Sequence, residues 1–465
     1  MVTVVLLLSA ALVLLLLGYR FNSQSGTLVQ GGLVQFISQP SGARVTVGSA
    51  QLANTTRSKI TLNPGAYEVS MALDGYQTWK KHVTVKAGAV LWLNSARFVP
   101  SDPQTKSVKS FTSLSSMSVR PGGQYVALLE NASQPELDIA KITGDTPEIT
   151  KLALPSSLYT AATSAHSFSL GEWSSDDQYV LVKHVYDDHV EWIAVDRSDV
   201  TKSRLIPGTK DIYPVEVIYS PRSSDHVLVQ SNDGTVSDMN LSDGSSEALP
   251  LTGIQTIDAW GSNLFYTALA NEGKTVNTGY LTLGSKSARV VQSYDATLPV
   301  HFSGGQYFGG YYFATSVGKQ TTVSSLTNLP DSGSADPLQL ESLHVIASPT
   351  DVADVDFKSG GRFVTVTTGV SQITYDIELD LESTVPIVGL TQPLTLPLDW
   401  LDEYHFWSDS NGSMRQYEFD GSNQTDIVNV APGFRAVYSP DDKYLYTIGK
   451  TDDGYRLQQT KMIIK

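Results

Sequence analysis

Short apolar segments separated by polar turns dominate the chain after its N-terminal segment. The stretch VYSPDDKYLYTI, Val437 to Ile448, combines a short apolar strand, a Ser-Pro-Asp-Asp turn and an alternating Tyr-Leu-Tyr strand. Two period-two segments joined by turn residues predict a β-hairpin. The same pattern recurs in earlier segments, which begin at Met117, Leu170, Glu216, Ile257, Val300, Ala353 and Leu398. We therefore predict a repeated all-β unit.

The turns of these repeats follow one another at similar intervals. Their central residues are Gly123, Asp177, Asp225, Ser262, Gly304, Gly361, Asp402 and Asp442, which are 37 to 57 residues apart. Such a period suits three or four strands per unit and predicts a β-propeller, because each blade buries its faces only against its neighbours. We predict eight blades within residues 106–465. Seven blades are the alternative, since the fourth and seventh copies lack the Pro-Asp or Gly-Gly turn.

The N-terminal segment has a different pattern. Residues 1–19 contain no charged side chain, and apolar residues cover every face of a helix built from them. Nineteen helical residues span roughly 28 Å, close to the thickness of the hydrocarbon core of a bilayer. We predict an uncleaved transmembrane anchor over residues 1–19, a linker over residues 20–30, and the bulk of the chain outside the cytoplasm. A cleaved signal or lipoprotein-like leader, a buried core helix and a start upstream of Met1 are the alternatives.

Residues 31–100 form a separate predicted unit of short strands. Its turns contain Ser38-x-Pro40-Ser41-Gly42-Ala43, then Pro64-Gly65-x-Tyr67, then Gly75-Tyr76 followed by Trp79. This set of spaced turns resembles the PEGA domain, a small surface-associated β-sandwich of bacteria and archaea, with NPGA in place of the name motif. The resemblance implies an extracytoplasmic spacer or adhesive module beside the anchor and brings no catalytic residue. We interpret Tyr76 and Trp79 as core aromatics.

The repeat itself also resembles a known group. The phrase SPDDKYLYT, from Ser439 to Thr447, is similar to the repeated element of TolB-like propellers, which are periplasmic and extracellular binding scaffolds. Similar blades occur in prolyl-oligopeptidase-type peptidases. Those enzymes need a Gly-x-Ser-x-Gly elbow to expose the nucleophile, and the sequence has no such pentapeptide.

Composition and motifs narrow the chemistry further. The 47 acidic and 32 basic side chains give a formal charge of -15, so we expect no nucleic acid partner, because phosphate would be repelled at long range. The absence of cysteine excludes disulfides and thiolate sites. No P-loop, HExxH or complete EF-hand pattern occurs, and we predict no catalytic, cofactor-binding or metal-ligating residue. The segment HVYDDH, His184 to His189, offers nitrogen and oxygen ligands for zinc, although an exposed turn is the favoured interpretation.

A ligand-binding face follows from the predicted topology. Loops that join the second to the third strand, and one blade to the next, share one end of the propeller and vary in sequence, as binding loops do. Candidate ligand contacts on these loops are Tyr159, His166, Tyr186 and Tyr455.

The predicted function combines these expectations. Innermost strands such as SMSVR, EVIYS and RAVYS contain few ionisable groups, which favours a binding protein over an enzyme. We expect a non-enzymatic, membrane-anchored extracytoplasmic scaffold, without a cofactor, that recognises a protein, peptide or cell-envelope glycan. A hydrolase or lyase with its site in the central channel is the alternative.

Overall fold

The computed structural model describes residues 9, 12–13, 18–22, 26–162, 165–187, 189–387, 398–409 and 412–464. Strands make up most of these residues, and two short 3-10 helices occur at Ser156–Leu158 and Val200–Lys202. The predicted all-β class is confirmed.

The predicted anchor lies largely outside the described residues. No helix in the described part of the chain is long and apolar enough to cross a membrane. The segment predicted as a linker contains a hairpin instead, formed by β1 (Tyr19–Asn22) and β2 (Thr27–Gln30), which pair antiparallel.

The PEGA-like region folds into two small sheets that pack face to face. Its strands are β3 (Gly32–Gln39), β4 (Arg44–Val47), β5 (Ala50–Gln51), β6 (Ser58–Leu62), β7 (Gly65–Ala72), β8 (Trp79–Val85) and β9 (Val90–Arg97). The orders are β6-β3-β9 and β5-β4-β7-β8. Every second residue of β3 is buried, and Val34 and Phe36 meet Val45, Val69 and Met71 in the core. Strands β3 and β9 pair parallel, whereas the other strand pairs of these two sheets are antiparallel.

The described residues from 104 to 464 form eight four-stranded antiparallel sheets, which we call blades 1 to 8. Strand β10 (Gln104–Phe111) comes first in the chain. Blade 1 contains β11 (Ser116–Ser118), β12 (Tyr125–Leu129), β13 (Glu136–Lys141) and β14 (Glu148–Ala153), and blade 2 contains β15 (His166–Trp173), β16 (Tyr179–Tyr186), β17 (His189–Asp196) and β18 (Arg204–Ile206). Blade 3 contains β19 (Pro214–Tyr219), β20 (His226–Ser231), β21 (Val236–Asn240) and β22 (Ser246–Ala248), and blade 4 contains β23 (Ile254–Trp260), β24 (Asn263–Ala270), β25 (Thr275–Thr282) and β26 (Arg289–Asp295).

Blades 5 to 8 continue in the same order. Blade 5 contains β27 (Val300–Tyr307), β28 (Gly310–Val317), β29 (Gln320–Leu326) and β30 (Glu341–Ala347), and blade 6 contains β31 (Val352–Lys358), β32 (Phe363–Thr368), β33 (Ser371–Asp376) and β34 (Leu381–Pro386). Blade 7 contains β35 (Asp399–Trp400), β36 (His405–Ser408), β37 (Ser413–Glu418) and β38 (Thr425–Asn429), and blade 8 contains β39 (Val437–Tyr438), β40 (Tyr444–Thr451) and β41 (Gly454–Lys461).

The last blade joins the two ends of this region. Its order is β39-β40-β41-β10, so the strand that precedes blade 1 completes blade 8. Every pair of neighbouring blades encloses its own apolar cluster. One more cluster links blade 8 to blade 1, where Tyr446 and Leu457 pack with Phe111 and Val126. A sheet that is apolar on both faces needs a neighbour on each side, and a ring supplies one without leaving long free edges.

All but one of the predicted turn residues lie between the first and second strands of their blades. The exception is Gly304, which lies inside β27, while the turn falls at Phe308 and Gly309 with φ of 46° and 82°. A Cβ on Gly304 would lie 2.4 Å from the ring of Phe265 in blade 4. This glycine allows two blades to approach closely and does not form the turn.

Candidate functional site

The first strands of the blades surround a central channel that carries more charge than predicted. Each first strand is paired on one side only within its sheet. First strands contact each other between blades 1 and 2, 2 and 3, 4 and 5, and 5 and 6. The acidic and basic side chains along these strands are Glu172, Glu216, Asp258, Asp354, Asp356, Lys358, Asp399 and, just before β39, Arg435. The expectation of few ionisable groups on the innermost strands is therefore wrong, because β15, β19 and β23 each carry one acid and β31 carries two acids and a lysine.

Charges from distant blades act on one another across this channel. Desolvation by the surrounding protein raises the pKa of Glu172 more than Arg435 and Lys358 lower it. Glu172 belongs to blade 2, whereas Lys358 belongs to blade 6 and Arg435 precedes the first strand of blade 8. Desolvation likewise raises the pKa of Glu216 in blade 3. These groups therefore belong to one electrostatic site.

Asp258 is the most perturbed acid of the channel. Burial raises its pKa to about 6, and the neighbouring charge of Asp356 adds to the shift. Its carboxylate accepts hydrogen bonds from Ser303 Oγ at 2.6 Å and from the backbone N–H of Ala259 at 2.8 Å. Asp356 pairs with Lys358 on its own strand. An acid whose pKa lies near neutrality can both take up and release a proton.

The channel opens into a pocket on one end of the propeller. We call this end, which carries the turns between first and second strands, the docking face, and the pocket the channel mouth. The channel mouth has a volume of about 590 Å³ and is lined by Arg97 of the PEGA-like region, Pro121 and Gly122 of blade 1, Lys358–Gly360 of blade 6, Asp399–Glu403 of blade 7, and Tyr438, Ser439, Pro440 and Asp442 of blade 8. A second cavity of about 390 Å³ shares Pro121 with it and extends to Glu172 and Arg435.

Arg97 ties the PEGA-like region to the rim of the channel mouth. Its guanidinium lies 2.7 Å from Asp402 and 2.9 Å from Asp442, and it stacks 4.3 Å above the ring of Tyr438. Although burial opposes it, His405 and Arg97 hold the pKa of Asp402 well below its usual value. Because Asp402 and Asp442 occupy the repeated turns of blades 7 and 8, the two blades are bridged by one cation.

A second contact buries a carboxylate of blade 7 under the PEGA-like region. Glu418 is fully buried and accepts hydrogen bonds from Trp79 Nε1 at 3.0 Å, from Lys81 Nζ at 2.5 Å and from Ser95 Oγ. Lys81 also lies 2.9 Å from Asp420. Burial alone would lower the pKa of Lys81, but these two carboxylates raise it above its usual value. The region is thus docked on the propeller, and Trp79 does more than fill its core.

The structure brings three of the four predicted ligand contacts together on blade 2. Tyr159, His166 and Tyr186 surround the buried ring of His184, at centroid distances of 5.7, 5.5 and 4.8 Å. Tyr186 is only 8% exposed, so its ring serves packing more than contact. Tyr455 lies apart on β41, against Phe434.

The zinc hypothesis for His184–His189 is not supported by the geometry. His184 is fully buried, and both of its nitrogens already face Glu191 and His166. Within the described ranges, no group of three or more His, Cys, Asp and Glu side chains could hold a metal ion. Asp188 lies outside the described residues.

Sequence reasoning missed the groups that build the channel and its rim. The available signal was a charge at an inward position of an otherwise apolar strand, as in Asp354, Asp356 and Lys358, which alternate with buried Val355 and Phe357. Such a charge predicts either an ion pair or a water-filled lumen.

Comparisons with known proteins agree with this architecture. Residues 32–98 match the PEGA domain family, and no curated protein matches the chain. Among solved structures, the Dos1 propeller is 13% identical, with 78% of this chain and 95% of that chain covered and a TM-score of 0.49. An oligogalacturonate lyase from Vibrio parahaemolyticus is 9% identical, with 63% and 88% covered and a TM-score of 0.38. The dihydro-heme d1 dehydrogenase NirN is 12% identical, with 68% and 66% covered and a TM-score of 0.45.

These structures bear on the fold alone. They include enzymes as well as a propeller with no activity in its description, and the first strands around the channel of this chain carry several acids. The prediction that the protein is not an enzyme was therefore wrong, because neither the fold nor the sequence excludes an activity. Whether the chain is an enzyme is open. What sequence, structure and comparison share is an N-terminal PEGA domain at residues 32–98 followed by a β-propeller.

Proposed function

We propose that this protein is a binding or scaffold protein whose propeller receives its ligand at the channel mouth. One observation carries the proposal. The pocket of about 590 Å³ gathers side chains from four blades and from the PEGA domain at the end of a charged channel. Concave pockets with a few convergent polar groups are the usual ligand sites of proteins.

The charged side chains of the channel and its mouth favour one class of ligand. Asp402 and Asp442 share the single positive charge of Arg97, whereas Asp399 pairs with Arg435 at 2.7 Å and Asp356 pairs with Lys358. Glu172, Glu216 and Glu403 are exposed to the channel or its mouth and have no ion pair within the described residues. The remaining charge is negative, which attracts a cation into a site of reduced dielectric. We propose a basic segment of a protein or peptide as the ligand, in preference to a neutral glycan.

A random peptide library panned against the full-length chain tests this proposal. We expect wild type to enrich sequences rich in lysine and arginine, and the double variant Glu172→Gln/Glu216→Gln to lose them. The matched control is Asp452→Asn/Asp453→Asn, which removes two exposed acids from the turn between β40 and β41 at the other end of blade 8. Enrichment that does not depend on the channel acids, or that favours uncharged peptides, would contradict the proposal.

A membrane tether and an extracytoplasmic location complete the proposal. They rest on the uncharged apolar run of residues 1–19, which has the length that a bilayer requires. Protease treatment of intact cells, followed by fractionation, tests both points. We expect the full chain in the membrane fraction and its propeller to be digested from outside.

A channel enzyme is a second candidate, favoured by Asp258. Its raised pKa beside Asp356 suits a group that donates a proton to a leaving oxygen. The test compares wild type with Asp258→Asn on a panel of polysaccharides. Cleavage by wild type that the variant lacks would support the enzyme.

A further inference from the structure

Blade 2 carries a hydrogen-bonded chain of three side chains at the end of the propeller opposite the docking face. His184 Nδ1 lies 2.9 Å from Glu191 Oε1, and His184 Nε2 lies 3.3 Å from His166 Nδ1. Strand register explains the arrangement. His184 of β16 faces Glu191 of β17 directly, whereas His166 of β15 lies one row nearer the end of the blade, opposite Tyr186.

The direction of each hydrogen bond follows from Glu191. Its carboxylate also accepts from the backbone N–H of Thr160 at 2.7 Å and from Thr160 Oγ1 at 2.9 Å. Burial would raise the pKa of Glu191, but these bonds and the one from His184 hold it below its usual value. An ionised carboxylate only accepts, so Nδ1 of His184 carries the proton.

The proton position on His184 in turn fixes the proton position on His166. In a neutral imidazole with its proton on Nδ1, Nε2 is an acceptor. With His184 neutral, His166 donates from Nδ1, and its own Nε2 carries a lone pair and no proton. His166 is half-buried, and no other hydrogen bond of its ring is found among the described residues.

The chain is held rigidly. His184 is fully buried between the rings of Phe168 and Tyr186, at centroid distances of 4.2 and 4.8 Å and interplanar angles of 7° and 17°. Tyr159 contacts the same ring edge-on. A nitrogen whose orientation is fixed before binding loses little entropy when a ligand arrives.

We propose that Glu191 and His184 are positioning residues that present His166 Nε2 as a proton acceptor, forming a second site for a ligand that donates an O–H or N–H group. This site lies on blade 2 at the end opposite the channel mouth. The proposal for this site does not depend on whether a basic peptide binds at the channel.

Carbethoxylation of the full-length chain by diethyl pyrocarbonate, followed by mass spectrometry, tests the proposal. The reagent attacks an unprotonated imidazole nitrogen. His82, whose side chain is 89% exposed and lies 4.0 Å from Glu68, is the internal reference. On exposure alone His166 should react more slowly than His82, whereas a polarised and oriented Nε2 should react faster.

Matched variants show whether the reactivity of His166 depends on its hydrogen-bonded chain to Glu191 or whether any nearby carboxylate has the same effect on a histidine. Glu191→Gln should lower the rate at His166 by about fivefold, since a hydrogen bond to a charged acceptor is stronger than one to a neutral acceptor. Glu68→Gln, which removes the carboxylate beside the reference histidine, should leave the rate at His82 unchanged. A rate at His166 below that of His82 and insensitive to Glu191→Gln would overturn the proposal.

A measurement on wild type guards against a misfolded variant. Long-range proton–nitrogen NMR of the chain labelled with ¹⁵N-histidine reports which ring nitrogen carries the proton. Protons on Nδ1 of both His184 and His166 would support the relay. A proton on Nε2 of His166 would refute it whatever the variants do.

Discussion

Replacing Glu418 with glutamine is expected to loosen the PEGA domain from blade 7. The glutamine keeps the shape of the side chain but loses its charge. It also turns an NH₂ group toward donors, because Trp79 Nε1, Lys81 Nζ and Ser95 Oγ all point at this carboxylate. Some of these donors would then lack an acceptor in a site without water.

The structure sets the size of the effect. Removing one partner of a buried ion pair costs about 3–5 kcal/mol, because the other charge stays desolvated. The Lys81 side chain is 12% exposed, and Asp420 still lies 2.9 Å from its nitrogen. We therefore expect the lower end of that range, about 3 kcal/mol, which corresponds to an increase of roughly a hundredfold in local opening.

Hydrogen exchange with mass spectrometry measures that opening. Peptides that cover β8 and β9 should exchange faster in Glu418→Gln, while peptides from blades 2 to 5 keep their protection. The control is Asp74→Asn, which breaks the exposed pair between Asp74 and Arg44 within the PEGA domain and should leave exchange unchanged. Equal exchange in both variants would refute the argument that Glu418 anchors the domain.

Three further predictions concern packing and pH. Gly304→Ala should lower the free energy of unfolding by about 1–3 kcal/mol in a urea titration, because the added Cβ would lie 2.4 Å from the ring of Phe265. Burial and Asp356 raise the pKa of Asp258 from 3.8 to about 6, so stability is lost as the pH rises through that window. In urea unfolding, Asp258→Asn should equal wild type below the window and exceed it above. The pKa of Asp402 is lowered by its cationic partners despite burial, so its stabilising contribution is complete above 3.8 and fades as the pH falls further. Hydrogen exchange at the PEGA interface in acid should show this loss.

Local pattern was enough to predict the repeated hairpins. The turn residues Asp177, Asp225 and Asp442 lie where the sequence put them, because Asx and glycine turns depend on the residues within the turn itself. Gly304 was wrongly predicted as a turn residue, because the sequence does not distinguish a glycine required by close contact with a neighbouring blade from a glycine required by a turn.

The candidate site was predicted poorly for a related reason. His166 and Tyr186 are paired residues of β15 and β16, so hairpin pairing alone predicts their proximity. Tyr159 lies in the segment that leads into β15. The channel mouth gathers residues from blades 1, 6, 7 and 8 and from the PEGA domain. Nothing in the spacing of Lys358 and Asp399 reveals that Arg97 lines the same pocket.

The all-β class, the repeat and the PEGA turns could be predicted from the sequence, because they depend on side-chain alternation and turn chemistry over a few residues. Three features became known only from the folded chain: β10 completes the last blade, charges of separate blades share one channel, and the PEGA domain is docked over Glu418. These contacts join residues hundreds of positions apart, and their energies exist only once the ring has closed and excluded water from the groups it brings together.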